Sequence, residues 1–562
     1  MWGIDIDHTN RRKATFCPNY GQRNRKCLSE CLQFWIFETI DIIITQHTIK
    51  THMMKRRILS LSRLATLMLP VALLTLGSLT ACDDDDDETI AHTIPTTPTK
   101  PETSTVDATT VEANRFIYET MGTYYYWLED MPDLDYKKQT DTEKYFYNLL
   151  SDKDRFSFIS DDADATWSEF DGEYTDMGWE YTLMYADASK TNIIALIDFV
   201  YPNTPAAESG AKRGDMIETV NGTTMTLNNY RSLIQSSTGT FAGTRVDAEG
   251  TETAISFDLT AREITENYVA KVSIIDQPDG KKVGYLLYNS YSSAYNKDLI
   301  EAFRTMKEAG VDDVVLDLRL NTGGDVDCLV LMCSLLAPAA DVAAKKELQY
   351  YEFNSLLSKY PEYSREASAV HFVDTLDVNM DLNRLMVLVS GNTYSASEST
   401  IWSLEPYMDV QLVGETTGGK NSMMYVMTPE DFVNSKTSKP YYDTAINNWL
   451  IAPIVAICSN STGESFDTSD GKGLDPDYAV NEYSGVMSHG LRELGDPEET
   501  LLAAALRYLS TGSYEESKED ASTDESETKS LTNSLRGSNA MMRSLDKRKM
   551  PMRKRFSLTT ID

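Results

Sequence analysis

The stretch SGNTYSASEST, residues 390–400, places four serines in eleven positions at the end of the apolar run LMVLV. A serine at the exit of a buried strand is a candidate nucleophile, because a following helix offers free N–H groups and partial positive charge there. Ser395 stands at the predicted strand-to-helix turn, where the amide of Ala396 could donate to an oxyanion on an attacked carbonyl. The plainer alternative is that Ser395 only caps the helix.

A serine nucleophile needs a base, and histidine is scarce in this sequence. The histidines after residue 82 are His92, His371 and His489. Without a G-x-S-x-G motif the sequence gives no support for a Ser-His-Asp triad. A lysine can serve instead when burial leaves its amine neutral. Lys420 ends the segment VGETTGGK, where Gly418-Gly419 would let the backbone turn tightly and bring the amine towards Ser395. Most lysines, however, are solvated surface groups.

A second loop could supply another donor to the oxyanion. The segment LDLRLNTGGD runs from an apolar strand into Gly323 and Gly324, whose amides can approach a substrate oxygen closely. A plain turn is the competing explanation.

Three sequence patterns predict the elements that position these residues. Apolar strands alternate with helical segments over residues 267–510, which predicts an α/β core with both sheet faces covered. Aromatic residues recur at helical spacing over 109–170 and predict a small helical domain. Residues 171–266 read as short strands and turns. Within them VYPNTPAAESGAKRGDMIETVNG predicts a helix at Pro205, a strand over Met216–Val220 and a turn at Asn221-Gly222, an order that resembles a PDZ domain.

The ends of the chain predict targeting segments. Residues 53–81 have a basic start, an apolar run and small residues before Cys82, as a secretory signal does, so we expect 1–52 to be an upstream over-extension. A transmembrane anchor is the alternative, but the apolar run is short and breaks at Pro70. Leu79-Thr80-Ala81-Cys82 resembles the bacterial lipoprotein box, which implies lipidation of Cys82 and anchoring to the lipid bilayer of the cell envelope. We expect the protein to be anchored in the outer membrane, and the sequence does not distinguish the periplasmic face from the cell surface.

Charge and composition describe the remaining segments. Residues 82–108 are acidic and then Thr/Pro-rich, which predicts an extended tether, and 511–562 predict a disordered tail. The formal net charge is −34, which argues against nucleic acid as a partner.

Together the motifs resemble one family. SASE, a lysine twenty-five residues after its first serine, an upstream DLR-x-N-x-GG, a PDZ-like segment and a closing GLDPD are similar to the tail-specific, or C-terminal-processing, serine peptidases. The resemblance covers about residues 172–509. It implies a crotonase-like mixed α/β peptidase core, a PDZ-like β-rich domain and a small N-terminal helical domain. It also implies peptide or protein substrates and no metal or organic cofactor.

The resemblance assigns roles to particular residues. Ser395 would be the nucleophile, Lys420 the general base, and Ala396 with Gly323 or Gly324 the oxyanion hole. A PDZ domain of this kind would bind an extended or C-terminal peptide segment.

The sequence departs from the family at two positions. Many members have a glutamine four residues after the lysine, where this chain has Met424; Asn421 or Ser422 is a possible substitute. Some members have an aspartate where this chain has Pro406. These departures leave open an inactive surface lipoprotein that binds peptides. A structural tether and a serine hydrolase that depends on His489 are two further alternatives.

Overall fold

The computed structural model describes residues 106–186, 189–375, 377–515, 553–555 and 559–561. These residues fall into two units, the smaller of which contains 432–441 and 559–561. The predicted upstream extension, signal peptide and most of the tether, with Cys82, lie outside the described residues.

The first part of the larger unit is helical. Helix α1 begins where Asp107 accepts hydrogen bonds from the amides of Thr109 and Thr110, and it buries Phe116 and Ile117. The regular elements here are α1 Ala108–Tyr124, α2 Thr142–Asn148, β1 Phe158–Ser160 and α3 Ala163–Phe170, with a 3-10 turn at Tyr136–Lys138. The helical spacing of apolar residues over 109–170 is thus matched by three helices.

A β-rich segment follows. Its elements are β2 Glu173–Asp176, β3 Trp179–Tyr185, β4 Ile193–Val200, α4 Pro205–Ser209, β5 Met216–Val220, β6 Thr223–Thr224, α5 Tyr230–Ile234, β7 Thr238–Val246, β8 Glu252–Thr260 and β9 Arg262–Thr265. The sheet order is β3-β4-β5-β7-β8, with antiparallel neighbours throughout. The helix predicted at Pro205 and the strand predicted over Met216–Val220 are confirmed.

The part of the chain from residue 269 to residue 511 contains the six-stranded sheet of the α/β core. Its elements in chain order are β10 Val269–Asp276, β11 Lys282–Tyr288, α6 Asn296–Glu308, β12 Asp313–Asp317, α7 Val326–Leu336, α8 Ala339–Ala343, β13 Glu347–Phe353, α9 Arg365–Ser368, β14 Val370–His371, β15 Arg384–Val389, α10 Ala396–Leu404, β16 Asp409–Gly414, β17 Ser422–Val426, β18 Phe432–Asn434, β19 Leu450–Ala452, β20 Ile454–Asn460, β21 Tyr478–Ala479, α11 Val486–His489 and α12 Thr500–Thr511. Short 3-10 turns occur at Ser293–Tyr295, Leu357–Lys359, Pro361–Tyr363, Pro429–Asp431 and Thr444–Ile446.

The strand order β10-β11-β12-β15-β16-β21 places β12 beside β15 in parallel register. The carboxyl ends of parallel neighbours lie at one edge of a sheet, so the loops that follow β12 and β15 meet there. One sheet face packs on α12, where Val315, Met386 and Leu388 lie in one buried cluster with Leu502 and Leu509. The apolar runs predicted as strands are therefore buried, which fixes the positions of both loops.

A second sheet of order β14-β13-β20-β17-β22 carries the lysine loop, which enters at β17. Its last strand, β22 Arg553–Arg555, pairs with β17, and in the smaller unit β23 Thr559–Ile561 pairs with β18. These two strands and the last residue of α12 fall within 511–562, for which a disordered tail stays a prediction. Extended backbone can pair with an edge strand without an apolar pattern of its own, which the sequence analysis did not consider.

Candidate active site

Ser395 lies between β15 and α10 in a conformation that serine seldom adopts. Its φ is 60° and its ψ −112°, and its side chain is 0% exposed. A non-glycine residue at positive φ outside the left-handed helical region costs about 1–3 kcal/mol, so the surrounding structure must impose it. The strand buried before it and the helix after it provide that constraint.

The other hydroxyls of the serine-crowded stretch bind the neighbouring loop. Ser390 Oγ donates to the carbonyl of Arg319 at 2.6 Å, and Ser397 Oγ donates to that of Asn321 at 3.0 Å. The amide of Tyr394 also donates to Asn321, at 3.1 Å. Hydrogen bonds therefore hold this stretch against the loop after β12. Ser390 and Ser397 have a structural role.

The two predicted oxyanion glycines differ in the state of their amides. The N–H of Gly323 donates to Asn321 Oδ1 at 2.9 Å, so it is engaged within the loop. The amides of Gly324 and Ala396 have no hydrogen-bond partner within the part of the chain that the structure describes. Of the two glycines, Gly324 is the one whose N–H is available to an oxyanion.

Close packing makes glycine necessary at position 324. Its φ is 142°, and a Cβ there would lie 2.0 Å from the carbonyl oxygen of Tyr291. The carbonyl of Tyr291 in turn accepts from the amide of Asp325 at 2.6 Å, which fixes the loop against the end of β11.

Lys420 is buried, with 3% of its surface exposed. Its Nζ lies 3.0 Å from Met424 Sδ and 5.1 Å from the centre of the Phe156 ring. Burial disfavours the charged form of an amine, and a thioether accepts hydrogen bonds weakly. Burial beside a weak acceptor is compatible with the role predicted for Lys420.

Glu398 joins the serine turn to the lysine loop. Its Oε2 accepts from the backbone N–H of Ser395 at 2.9 Å and from that of Lys420 at 2.8 Å. Since both bonds end on one oxygen, the two backbone nitrogens are at most 5.7 Å apart, the sum of 2.9 and 2.8 Å. The structure therefore brings together the backbones of the predicted nucleophile and base.

The other carboxylate oxygen of Glu398 completes a four-donor clamp. Oε1 accepts from Thr417 Oγ1 at 2.5 Å and from the amide of Gly419 at 2.8 Å. Burial raises the pKa of Glu398, and these hydrogen bonds oppose that shift. The sequence analysis missed this residue, although a glutamate three residues after a helix-start serine has the spacing of a capping box.

The N-terminal segment also reaches the lysine. Phe156 lies against Lys420, and its ring centre is 6.2 Å from that of Tyr394. Arg155 donates to the carbonyls of Gly419 and, at 3.1 Å, of Gly471. Both residues are in the segment DRFSF, which the helical spacing of aromatic residues assigns to the small helical domain.

The remaining candidates lie elsewhere. The side chain of Asn421 donates to Ser465 and to the carbonyl of Phe466, so it is committed away from Lys420, and Met424 itself contacts the amine. His371 and His489 are exposed, whereas Ser395 is fully buried. Within the described residues no group of three or more metal-binding side chains comes together. Among the same residues no helix is both long and apolar enough to cross a bilayer.

In this α/β core one carboxylate accepts hydrogen bonds from the backbone amides of a strained serine and a buried lysine. These are features of a serine hydrolase. Residues 282–480 match the profile of Peptidase family S41, and residues 112–158 match the Peptidase S41 N-terminal domain. These two stretches therefore match domains of peptidase family S41, and the resemblance to C-terminal-processing proteases is confirmed.

Particular relatives agree with this assignment. The chain is 26% identical over 244 residues to a carboxyl-terminal-processing protease of Synechocystis sp., covering 43% of this chain and 53% of that protein. It is 24% identical over 319 residues to the carboxy-terminal processing protease CtpB of Bacillus subtilis, covering 55% and 59%. The chain thus spans little more than half the length of these curated relatives.

A solved structure is similar over most of its own length. It is a candidate S41 protease from Bacteroides fragilis, with 29% identity, a TM-score of 0.56, and coverage of 71% of this chain and 97% of that one. The similarity supports the mixed α/β fold. The PDZ-like character of residues 171–266 and the lipoprotein signal stay predictions.

Proposed function

We propose that this chain is a serine endopeptidase in which Ser395 is the nucleophile and Lys420 the general base. The observation that carries the proposal is the Glu398 clamp, which holds the backbone amides of both residues on one oxygen. Nucleophile and base must lie within hydrogen-bond reach during reaction, and the clamp limits how far their backbones can separate.

In the proposed reaction Ser395 Oγ attacks a peptide carbonyl while Lys420 Nζ takes the hydroxyl proton. The amides of Ala396 and Gly324 donate to the oxyanion, since each N–H is unengaged among the described residues. Collapse of the tetrahedral intermediate breaks the C–N bond, and the lysine returns the proton to the leaving amine. Water, deprotonated by Lys420, then hydrolyses the acyl-enzyme.

Met424 and Phe156 support this role for the lysine. A base must be oriented without being trapped in its charged form. A thioether 3.0 Å from the amine fixes its direction and, unlike a carboxylate, adds no negative charge that would favour the ammonium ion. Met424 thereby replaces the glutamine that many members of the family place there.

Substrate recognition and location belong to the same proposal. The β-rich segment 171–266 would act as a PDZ-like domain that aligns an extended or C-terminal peptide segment. Cys82 would carry the lipid that anchors the enzyme in the bacterial cell envelope, at the outer membrane, facing the periplasm or the cell surface. Incorporation of a palmitate analogue that a Cys82→Ser variant abolishes would test the anchor.

The test of the mechanism compares three proteins on an unfolded polypeptide, with products identified by mass spectrometry. Wild type should cleave it and should be labelled at Ser395 by a fluorophosphonate, whereas Ser395→Ala should do neither. The control His489→Ala should retain both, because that imidazole is exposed. Cleavage that survives Ser395→Ala, or that disappears in His489→Ala, would refute the proposal.

A further inference from the structure

A cavity of about 410 Å³ lies between the β-rich segment and the loop after β12, which contains Gly323 and Gly324 and is called the oxyanion loop below. Its lining includes Trp179 and Tyr181 of β3, Ile234 at the end of α5, and Asn289 and Thr322. Thr322 directly precedes Gly323 and Gly324. The volume is within the range of sites that bind small ligands or a few residues of a peptide. A chain that occupies it would lead from the β-rich segment to the oxyanion loop.

The lining of this cavity has one sign of charge. Four of its residues are acidic, and none of the described residues that line it is lysine or arginine. The acidic residues are Glu169, Asp176, Glu180 and Glu266. Burial raises the pKa of Tyr201, another lining residue, and the nearby negative charges of Glu180 and Asp176 raise it further. The cavity is therefore a region of negative potential.

A second observation points to a hydrogen-bond donor as the occupant. Asn289 lines the cavity and is 6% exposed. Its Nδ2 donates to the hydroxyl of Tyr201 at 3.2 Å, but its Oδ1 has no hydrogen-bond partner within the described residues. Leaving a buried acceptor without a partner is unfavourable, and a donor from a bound ligand would offset that cost.

The part of the lining that comes from the β-rich segment is poorly suited to a carboxylate. The amide of Gly178, in the turn between β2 and β3, donates to Asp176 Oδ1 at 2.7 Å. A carboxylate of this chain already accepts from that amide, and an incoming one would meet the other acidic groups. Capture of a free C-terminal carboxylate, expected of a PDZ-like domain, is therefore disfavoured at this cavity.

We propose that this cavity binds a cationic side chain, lysine or arginine, of the polypeptide substrate, an inference that rests on the proposed peptidase function. The guanidinium or ammonium group would donate to the acidic side chains and to Asn289 Oδ1. The enzyme would then favour substrates with a basic residue at a fixed distance from the bond that is cleaved.

Binding to the full-length Ser395→Ala protein tests this without depending on turnover. The probes are fluorescent octapeptides of glycine, serine and tyrosine with one arginine at each successive position, each matched by a peptide with citrulline, which has the same shape and no charge. Fluorescence anisotropy should show, for at least one position, arginine bound about 10-fold more tightly than citrulline. Rising ionic strength should reduce that preference.

Variants assign the preference to the cavity. In Glu169→Gln/Glu180→Gln the arginine preference should fall to about twofold or less, whereas Glu263→Gln, exposed on β9 and outside the lining, should keep it. Thermal unfolding checks that the double variant is folded, and Glu180→Gln alone replaces it if it is not. Equal affinity for the two peptides, no binding of either, or an equal loss in Glu263→Gln would overturn the inference.

The result is separable from that of the proposed function. Fluorophosphonate labelling of Ser395 in the wild type reports the nucleophile without reference to the cavity. Labelling without arginine preference would refute only the cavity inference. Arginine preference without labelling would leave a peptide-binding cavity and refute the peptidase.

Discussion

Arg319 and Lys420 are both buried cations, 0% and 3% exposed, but their surroundings are opposite. The guanidinium of Arg319 donates to three carboxylates, those of Asp317, Glu482 and Glu499, at 2.8 to 3.0 Å. Burial alone would lower the pKa of Arg319, yet these carboxylates raise it well above its usual range. The amine of Lys420 lies against a thioether and an aromatic ring. Carboxylates hold Arg319 in its charged form, whereas Lys420 is the residue that we propose as the general base.

The difference separates a structural charge from the lysine that we propose as a base. The Arg319 cluster ties the end of β12 to the start of α12, and Arg213 of the β-rich segment joins it by donating to Glu482 at 3.1 Å. A guanidinium suits this role because its planar fork can bind several carboxylates and does not deprotonate. Lysine suits the other role because burial shifts its proton equilibrium readily. We therefore expect substitution to affect folding at the first site and activity at the second.

The largest effect is expected for Lys420→Met. Removal of the base should lower kcat/KM for peptide cleavage by at least about 10³-fold, because Ser395 would lose its proton acceptor. The midpoint of urea unfolding should not decrease, since a neutral side chain of similar length replaces a buried amine. The control is Lys271→Met, whose half-buried amine donates to the carbonyl of Leu494. Activity within tenfold of wild type in Lys420→Met would exclude it as the base.

Arg319→Met, unlike Lys420→Met, should destabilise the protein. It leaves three buried carboxylates without their shared cation, so the free energy of unfolding should fall by about 3–5 kcal/mol, measured by urea titration. Arg262→Met, which removes an exposed ion pair with Glu208, is the matched control and should change stability little. If both variants lose equal stability, the cluster does not have the structural role assigned to it.

Glu398→Gln tests the link between the serine turn and the lysine. Glutamine has one acceptor oxygen where the carboxylate has two, so the clamp loses about half of its accepted hydrogen bonds and kcat should fall about 10²-fold. As a positioning residue Glu398 should leave KM nearly unchanged and slow the labelling of Ser395 by a fluorophosphonate. Glu405→Gln, exposed at the end of the same helix, is the control. A rise in KM with unchanged kcat would contradict this role.

The sequence predicts the elements of this site better than its contacts. Apolar periodicity places β12 and β15, and the order of strands and helices predicts an α/β core, because burial of both sheet faces imposes a pattern on the residues themselves. Ser395, Lys420 and the glycine loop follow from motif spacing. The difference between Gly323 and Gly324 does not, since it depends on which amide the side chain of Asn321 accepts.

Contacts between distant segments were the hardest to predict. Arg155 and Phe156 are more than 260 residues from Lys420 in the chain, and a single aromatic residue gives no sign of which surface it will cover. Met424 was noted only as a departure from the family. Its contact with the lysine amine depends on the path of β17, which no local pattern specifies.

Phe156→Leu should have a smaller effect than loss of the clamp. The ring restricts the position of Lys420 Nζ, so its removal should lower kcat about tenfold and leave stability changed by no more than about 2 kcal/mol. The matched control is Phe158→Leu, two residues on, whose ring packs against Phe170. Equal losses of kcat in the two variants would show that the effect of Phe156 is not specific to the lysine.

The smallest effect expected is a difference in acid sensitivity. Burial alone would raise the pKa of Glu499, but the charge of Arg319 and the hydrogen bonds from it lower that pKa below 4.5. The unfolded state therefore binds more protons than the folded state as pH falls below about 4.5, and the stabilisation from ionised Glu499 is lost in that window. Burial raises the pKa of Asp317, whose contribution has the opposite sign, so only a substitution isolates Glu499.

Urea unfolding of Glu499→Gln and Lys420→Met between about pH 5 and pH 3 makes the comparison. The slope of unfolding free energy against pH should decrease in Glu499→Gln by up to about 1.4 kcal/mol per pH unit, the equivalent of one proton. Lys420→Met should keep the wild-type slope, because no group of the Arg319 cluster is changed. An unchanged slope in Glu499→Gln would mean that acid does not destabilise the protein through Glu499, and the contrast between the two cations would then have no pH dependence from this carboxylate.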